Sequence, residues 1–162
     1  MKPACVLALG NPLRRDDSLG IRLLDELKKD QLAFLKGVDL VDGGTGGFSL
    51  LHVIKKYDLV IILDAVDFHG TTGEIRVFQE QDVNSVKAVC WSSTHGIDML
   101  DVLRMAEEIG EKPKKIVFIG IQPKDISSGE GLSIEIDKQF STIKKEVYSY
   151  IQTIVKEQKR RD

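Results

Sequence analysis

Asp58-Leu59-Val60-Ile61-Ile62-Leu63-Asp64-Ala65 is the stretch whose reading decides the fold. Its apolar residues run without polar alternation, as in a strand buried on both faces at the centre of a parallel sheet. Working outward, Ala4 to Leu9 and Lys115 to Ile121 read as strands of the same kind, and Val38 to Val41 as a shorter one. Gly70-Thr71-Thr72-Gly73 is turn material, and Glu74 to Phe78 alternates like an exposed edge strand. Between these runs the period changes to that of a helix. Ser18 to Phe34 carries Ile21, Leu24, Leu27 and Leu32 on one stripe, and Phe48 to Lys55 is a short helix. Ile97 to Ile109 offers Met99, Leu100, Leu103, Met105 and Ala106 for burial. Ser127 to Gly131 reads as a loop, and Asp137 to Lys156 is a closing helix with Phe140, Ile143, Val147, Tyr150, Ile151 and Ile154 inward. Strands alternating with helices predict α/β architecture. No internal repeat, low-complexity stretch or linker interrupts it, so residues 1–162 read as one domain.

Composition narrows the function classes. A chain of 162 residues suits one domain, and 42% hydrophobic with 30% charged residues is ordinary for a globular protein. A net charge of −2 gives no case for nucleic acid or an anionic membrane as partner. The basic run Lys156 to Arg161 reads as a solvated helix end. No apolar run reaches the roughly 18 residues of a membrane span, and the first residues lack the order of a signal peptide. A cytoplasmic protein is the expectation. Cys5 and Cys90 have no CxxC spacing; Cys5 reads as a core residue, and no nucleophile motif surrounds Cys90.

If the apolar runs are parallel strands, the polar residues that follow them share one end of the sheet, where open α/β folds build their sites. Gly10-Asn11-Pro12-Leu13-Arg14-Arg15-Asp16-Asp17, Asp42-Gly43-Gly44-Thr45-Gly46-Gly47, Asp64 and Thr94-His95-Gly96 all fall there. The first set is neither a P-loop nor a dinucleotide fingerprint. The glycines fit a tight turn needing positive φ, or a backbone that a ligand approaches closely, with Asp42 accepting from the loop amides. Asp16, Asp17 and Ser18 sit where a helix starts and read as caps, although capping needs only one of them. Asp64 ends a buried strand, where a carboxylate is costly unless paired, solvated or metal-bound. Two carboxylates and the His95 imidazole would suit a divalent metal with open positions, and ligand type alone allows zinc, nickel, manganese or iron. His52 reads as a helix-face residue, and His69 lacks the placement.

Four segments in order, Gly10-Asn11-x-Leu13-x-x-Asp16-Asp17-x-x-Gly20, Asp42-Gly43-Gly44-Thr45, Asp64-Ala65 and Ser93-Thr94-His95, resemble the hydrogenase maturation proteases. That family removes a C-terminal extension from the large subunit of nickel–iron hydrogenases. The similarity runs from the first strand to about Pro123, with a family-like closing helix. It implies a three-layer α/β/α sandwich with a mostly parallel twisted sheet of about five strands. It also implies an endopeptidase acting on the nickel-loaded large-subunit precursor, with nickel carried by the substrate and no organic cofactor. By position, the metal contacts fall on Asp17, Asp64 and His95, and the catalytic carboxylates on Asp17 and Asp64. Asp42, Gly43, Gly44 and Thr45 would place the substrate tail, and Asp16 would be a cap or supporting partner. Position 17 is Glu or Asp in the family; position 18, often Gly, is Ser here, a good N-cap. Two other readings stand beside it: a nickel-dependent chaperone that binds the precursor without cutting, and a peptidase with its own resident ion, although no HExxH is present. A monomer that meets its substrate transiently is the expectation.

Overall fold

The computed structural model describes residues 3–82 and 99–161. Strands β1 (Ala4–Ala8), β2 (Val38–Asp42), β3 (Leu59–Ala65), β4 (Ile75–Gln79) and β5 (Lys115–Ile121) form one sheet in the order β2-β1-β3-β5-β4. β1 pairs in parallel with β2 and β3, and β3 with β5; β4 closes one edge antiparallel to β5. β3 occupies the middle, as its unbroken apolar run predicts, and Val60, Ile61 and Leu63 are all 0% exposed.

Strand alternation divides the core between two faces. Val6, Ala8, Ile61, Leu63, Val117 and Ile119 pack against helices α1 (Leu19–Asp30) and α4 (Ile134–Arg161). Cys5, Leu7, Val60, Ile62, Ile116 and Phe118 pack against α2 (Leu51–Ile54) and α3 (Met99–Glu108). The result is the expected α/β/α sandwich. None of the described helices is long and apolar enough to cross a membrane.

Helix ends differ from the periodicity reading. α1 stops at Asp30 because Gln31 takes a left-handed conformation, φ 44° and ψ 48°. Ala33–Leu35 then forms a separate 3-10 turn, whose following residue Lys36 offers its carbonyl to Lys159 Nζ at 3.0 Å. The expected 48–55 helix is a 3-10 turn (Phe48–Leu50) leading into the short α2. α4 begins earlier than Asp137, because Ser133 Oγ accepts from the Ile136 amide and Ser133 O from the Asp137 amide. On α3, Met99, Leu100, Leu103 and Ala106 are buried, whereas Met105 turns outward. Lys144 of α4 joins the layer to α1: its Nζ lies 2.8 Å from both Glu26 Oε2 and Asp30 Oδ2. Tyr148 OH also donates to Asp30 Oδ2 at 2.9 Å.

Candidate active site

The parallel register sets the strand ends in a row: Ala8 pairs with Asp42 on one side and Leu63 on the other, and Asp64 pairs with Gly120. Two further bonds carry the β1–β2 pairing past the strands. Gly43 N donates to Ala8 O, and Gly10 N donates to Gly44 O, each at 2.8 Å. The glycine loop therefore lies beside Gly10-Asn11. Asp42 Oδ1 accepts from Gly44 N at 2.8 Å, as its loop position predicts. Gly44, Gly46 and Gly47 all have positive φ, so the tight-turn requirement is real.

Asp17 follows directly on this arrangement, because its Oδ2 accepts from Asn11 N at 3.0 Å. It sits in a 3-10 turn, Arg15–Ser18, ahead of α1. That turn is pressed onto the sheet by Gly20: a Cβ there would stand 2.7 Å from the carbonyl oxygens of both Leu9 and Leu63. No side chain but hydrogen lets α1 start directly on the ends of β1 and β3. Asp64 is the residue after Leu63. It shares the alternation of Val60 and Ile62, whereas α1 covers the face of Ile61 and Leu63. Asp17 is 4% and Asp64 6% exposed. Two buried acids and an open-backbone loop thus share one end of the sheet.

The cap reading of the helix start needs correction. Ser18 makes no side-chain cap bond; its Oγ donates to Arg15 O at 2.6 Å and accepts from Arg22 Nε at 3.0 Å. The chain enters α1 through a 3-10 turn, with Ser18 at φ −77° and ψ −4°, not from the extended backbone that aims a capping oxygen at first-turn amides. Asp16 does not cap α1 either. It is 0% exposed and accepts from Lys124 N, Asp125 N, Ser133 N and Ser133 Oγ at 2.7–2.9 Å. Its partners lie more than a hundred residues away, beyond the reach of local patterning. Ser133 and the backbone amide of Asn11 are the other participants that motif reading passed over.

Cys90 and His95 lie outside the described residues, as do Ser93 and Thr94. Among the described residues no three His, Cys, Asp or Glu side chains gather as a metal site. His52 is an exposed face residue of α2, and His69 stands away on the loop after β3, its Nδ1 3.4 Å from Asp67 Oδ1.

The family model described as hydrogenase maturation protease matches residues 21–150. The chain belongs to the hydrogenase maturation protease family. The matched span takes in Asp42, Asp64 and position 95 but begins just past the Gly10–Gly20 segment. Hydrogenase expression/formation protein HoxM of Azotobacter vinelandii is 32% identical over 126 residues, 78% of this chain and 60% of that protein. The chain therefore spans about three fifths of the length of that relative. The maturation protease HybD of Thermococcus kodakarensis superposes with a TM-score of 0.72 at 26% identity, covering 91% of this chain and 98% of that one. The hydrogenase maturating endopeptidase HybD of E. coli shares the fold, with a TM-score of 0.76 over 93% of each chain at 24% identity.

Proposed function

We propose that this maturation protease is an endopeptidase that removes the C-terminal extension of a nickel-loaded nickel–iron hydrogenase large-subunit precursor, working in the cytoplasm as a monomer. The observation that carries the reading is that buried Asp17 and Asp64 and the Asp42–Thr45 backbone all lie at one end of the sheet. Family membership supports the reaction class.

Nickel belongs to the substrate. Asp17, Asp64 and His95 contact it on arrival, which certifies the cargo and sets the scissile bond in the crevice. Gly44, where a Cβ would meet no atom within 4 Å, leaves room for an extended peptide, a Cβ on Gly43 would run into Leu7 and Leu9, and Asp42 holds the turn in place. A carboxylate, Asp17 or Asp64, takes a proton from the water that adds to the scissile carbonyl carbon. The C–N bond then breaks, and the proton passes to the departing amine. Nickel beside that carbonyl would lower the barrier further by polarising it.

The test is the intact mass of a nickel-loaded precursor before and after incubation with this protein. A nickel-free precursor and Asp17→Asn run in parallel. Loss of a C-terminal peptide only with nickel and intact Asp17 is the expected outcome. Stable binding with unchanged mass would replace the reading with that of a nickel-dependent chaperone. A stoichiometric ion purifying with the protein would point to a resident-metal peptidase.

A further inference from the structure

We infer that Asp16 is a positioning residue, and that with Ser133 and the segment after β5 it forms a clasp setting the Asp17 carboxylate over the sheet end. Its activity readout rests on the endopeptidase reading above; its structural readout does not.

Asp16 is the only fully buried acid among the described residues, at 0% exposure. Burying a carboxylate is costly unless hydrogen bonds replace its water, and here four donors do so. Asp16 Oδ2 accepts from Lys124 N and Asp125 N, both at 2.9 Å, and from Ser133 Oγ at 2.8 Å. Oδ1 accepts from Ser133 N at 2.7 Å. Bonds to an ionised acceptor are about twice as strong as neutral ones. An Asn at this position would turn an NH2 group toward amide donors and break at least one of them.

Every residue from Leu13 to Asp16 is tied to the same segment. Gly129 N donates to Leu13 O, Arg15 N to Gly129 O and Asp16 N to Asp125 O, at 2.9–3.0 Å. Arg14 Nε donates to Ile126 O at 3.1 Å, and Arg15 Nε lies 3.4 Å from Asp125 Oδ2. Within this tied stretch Arg15 holds a left-handed backbone, φ 40°. A non-glycine residue keeps such a conformation only where its surroundings over-determine it. Successive side chains of the Arg15–Ser18 3-10 turn point about a third of a turn apart, so the neighbouring acids face different ways. Asp16 turns into the segment after β5, and Asp17 turns back to the Asn11 amide. Loosening the clasp releases this turn and moves Asp17 by way of the chain, with no contact between Ser133 and Asn11 required.

The experiment uses Ser133→Ala, Ser133→Thr and Asp16→Asn in the full chain. The Asn11 amide reports directly on where the Asp17 carboxylate sits. In Ser133→Ala its nitrogen–proton resonance should shift and its hydrogen exchange should quicken about tenfold. Ser133→Thr, which keeps the hydroxyl, should restore both. On the nickel-loaded precursor, kcat for Ser133→Ala should fall by roughly ten- to a hundredfold. KM should change by less than about twofold, since the loss is one of placement rather than binding. An unmoved Asn11 amide in Ser133→Ala would overturn the clasp, whatever happens to the melting temperature. Equal kcat for wild type and Ser133→Ala would do the same. If wild type itself fails to cut, the endopeptidase reading is what falls, and the Asn11 resonance still decides the clasp. Should Asp16→Asn fail to fold, Ser133→Ala carries the test alone.

Discussion

Asp16 and Asp17 are chemically identical neighbours, and the 3-10 turn Arg15–Ser18 aims them at different partners, the segment after β5 and the Asn11 amide. Cys5 illustrates the opposite case, a group whose chemistry the fold suppresses. It is 0% exposed within β1, and burial away from water, with Asp39 nearby, pushes its thiol up to about 12. Since the thiolate is the reactive form, Cys5 should remain unmodified by iodoacetamide in the native protein at neutral pH and react once the chain is unfolded. Peptide mass mapping checks this, and native labelling of Cys5 would contradict it. A core role for Cys5 and a turn role for Asp42 were legible in sequence, because the apolar run around Cys5 marks a buried strand and Asp42 bonds an amide two residues on. The anchoring role of Asp16 was not: its donors belong to residues 124, 125 and 133.

At the scale of elements, the first turn of α1 is the joint on which the site depends. Gly20 has no room for a methyl group, because the obstructing atoms are main-chain carbonyls rather than a yielding side chain. Gly20→Ala should therefore cost about 1–3 kcal/mol in urea unfolding, with an unchanged m-value. No loss of stability in that variant would mean the helix can lift off the strand ends without penalty. The strands were well marked in sequence, since runs such as Leu59–Leu63 meet the sheet on both faces. Helix boundaries were less so. Gln31 ends α1 by backbone conformation, and the start of α4 depends on Ser133, which no local capping box announces. Ser127 to Gly131 looked like a plain loop because the bonds of the residues around it run to the other end of the chain.

Over the whole molecule, α1 and α4 cover one face of the sheet and are joined by charge. Lys144 donates to Glu26 and Asp30, holding both carboxyls below their ordinary values; Lys29 adds to the first and Tyr148 to the second. Lowered acids stabilise the fold above their ordinary values of 4.5 and 3.8, and that contribution fades as the pH falls through the folded ones. Lys144 is raised by the same carboxylates, Asp30 foremost, so its share is complete below 10.5 and is lost as the pH rises through the folded value. Thermal unfolding of wild type and Lys144→Met should differ most near neutrality and converge below pH 3.8. A difference independent of pH would show that packing of the lysine stem, not its charge, joins the helices. The α/β class and the placement of β3 followed from periodicity alone. The full strand order did not, because pairing partners leave no mark on composition. That order has a kinetic consequence. Ala4 pairs with Val38 on one side and Leu59 on the other, Leu59 in turn with Lys115, and Ile75 with Ile121, so none of the described strands meets its neighbour through a tight turn. Each pairing waits for a long stretch of chain to close, which makes sheet assembly a late and collective event. A half-synthesised chain carrying β1 and β2 without β3 leaves an apolar edge of β1 unpaired, and such an edge invites aggregation until β3 arrives.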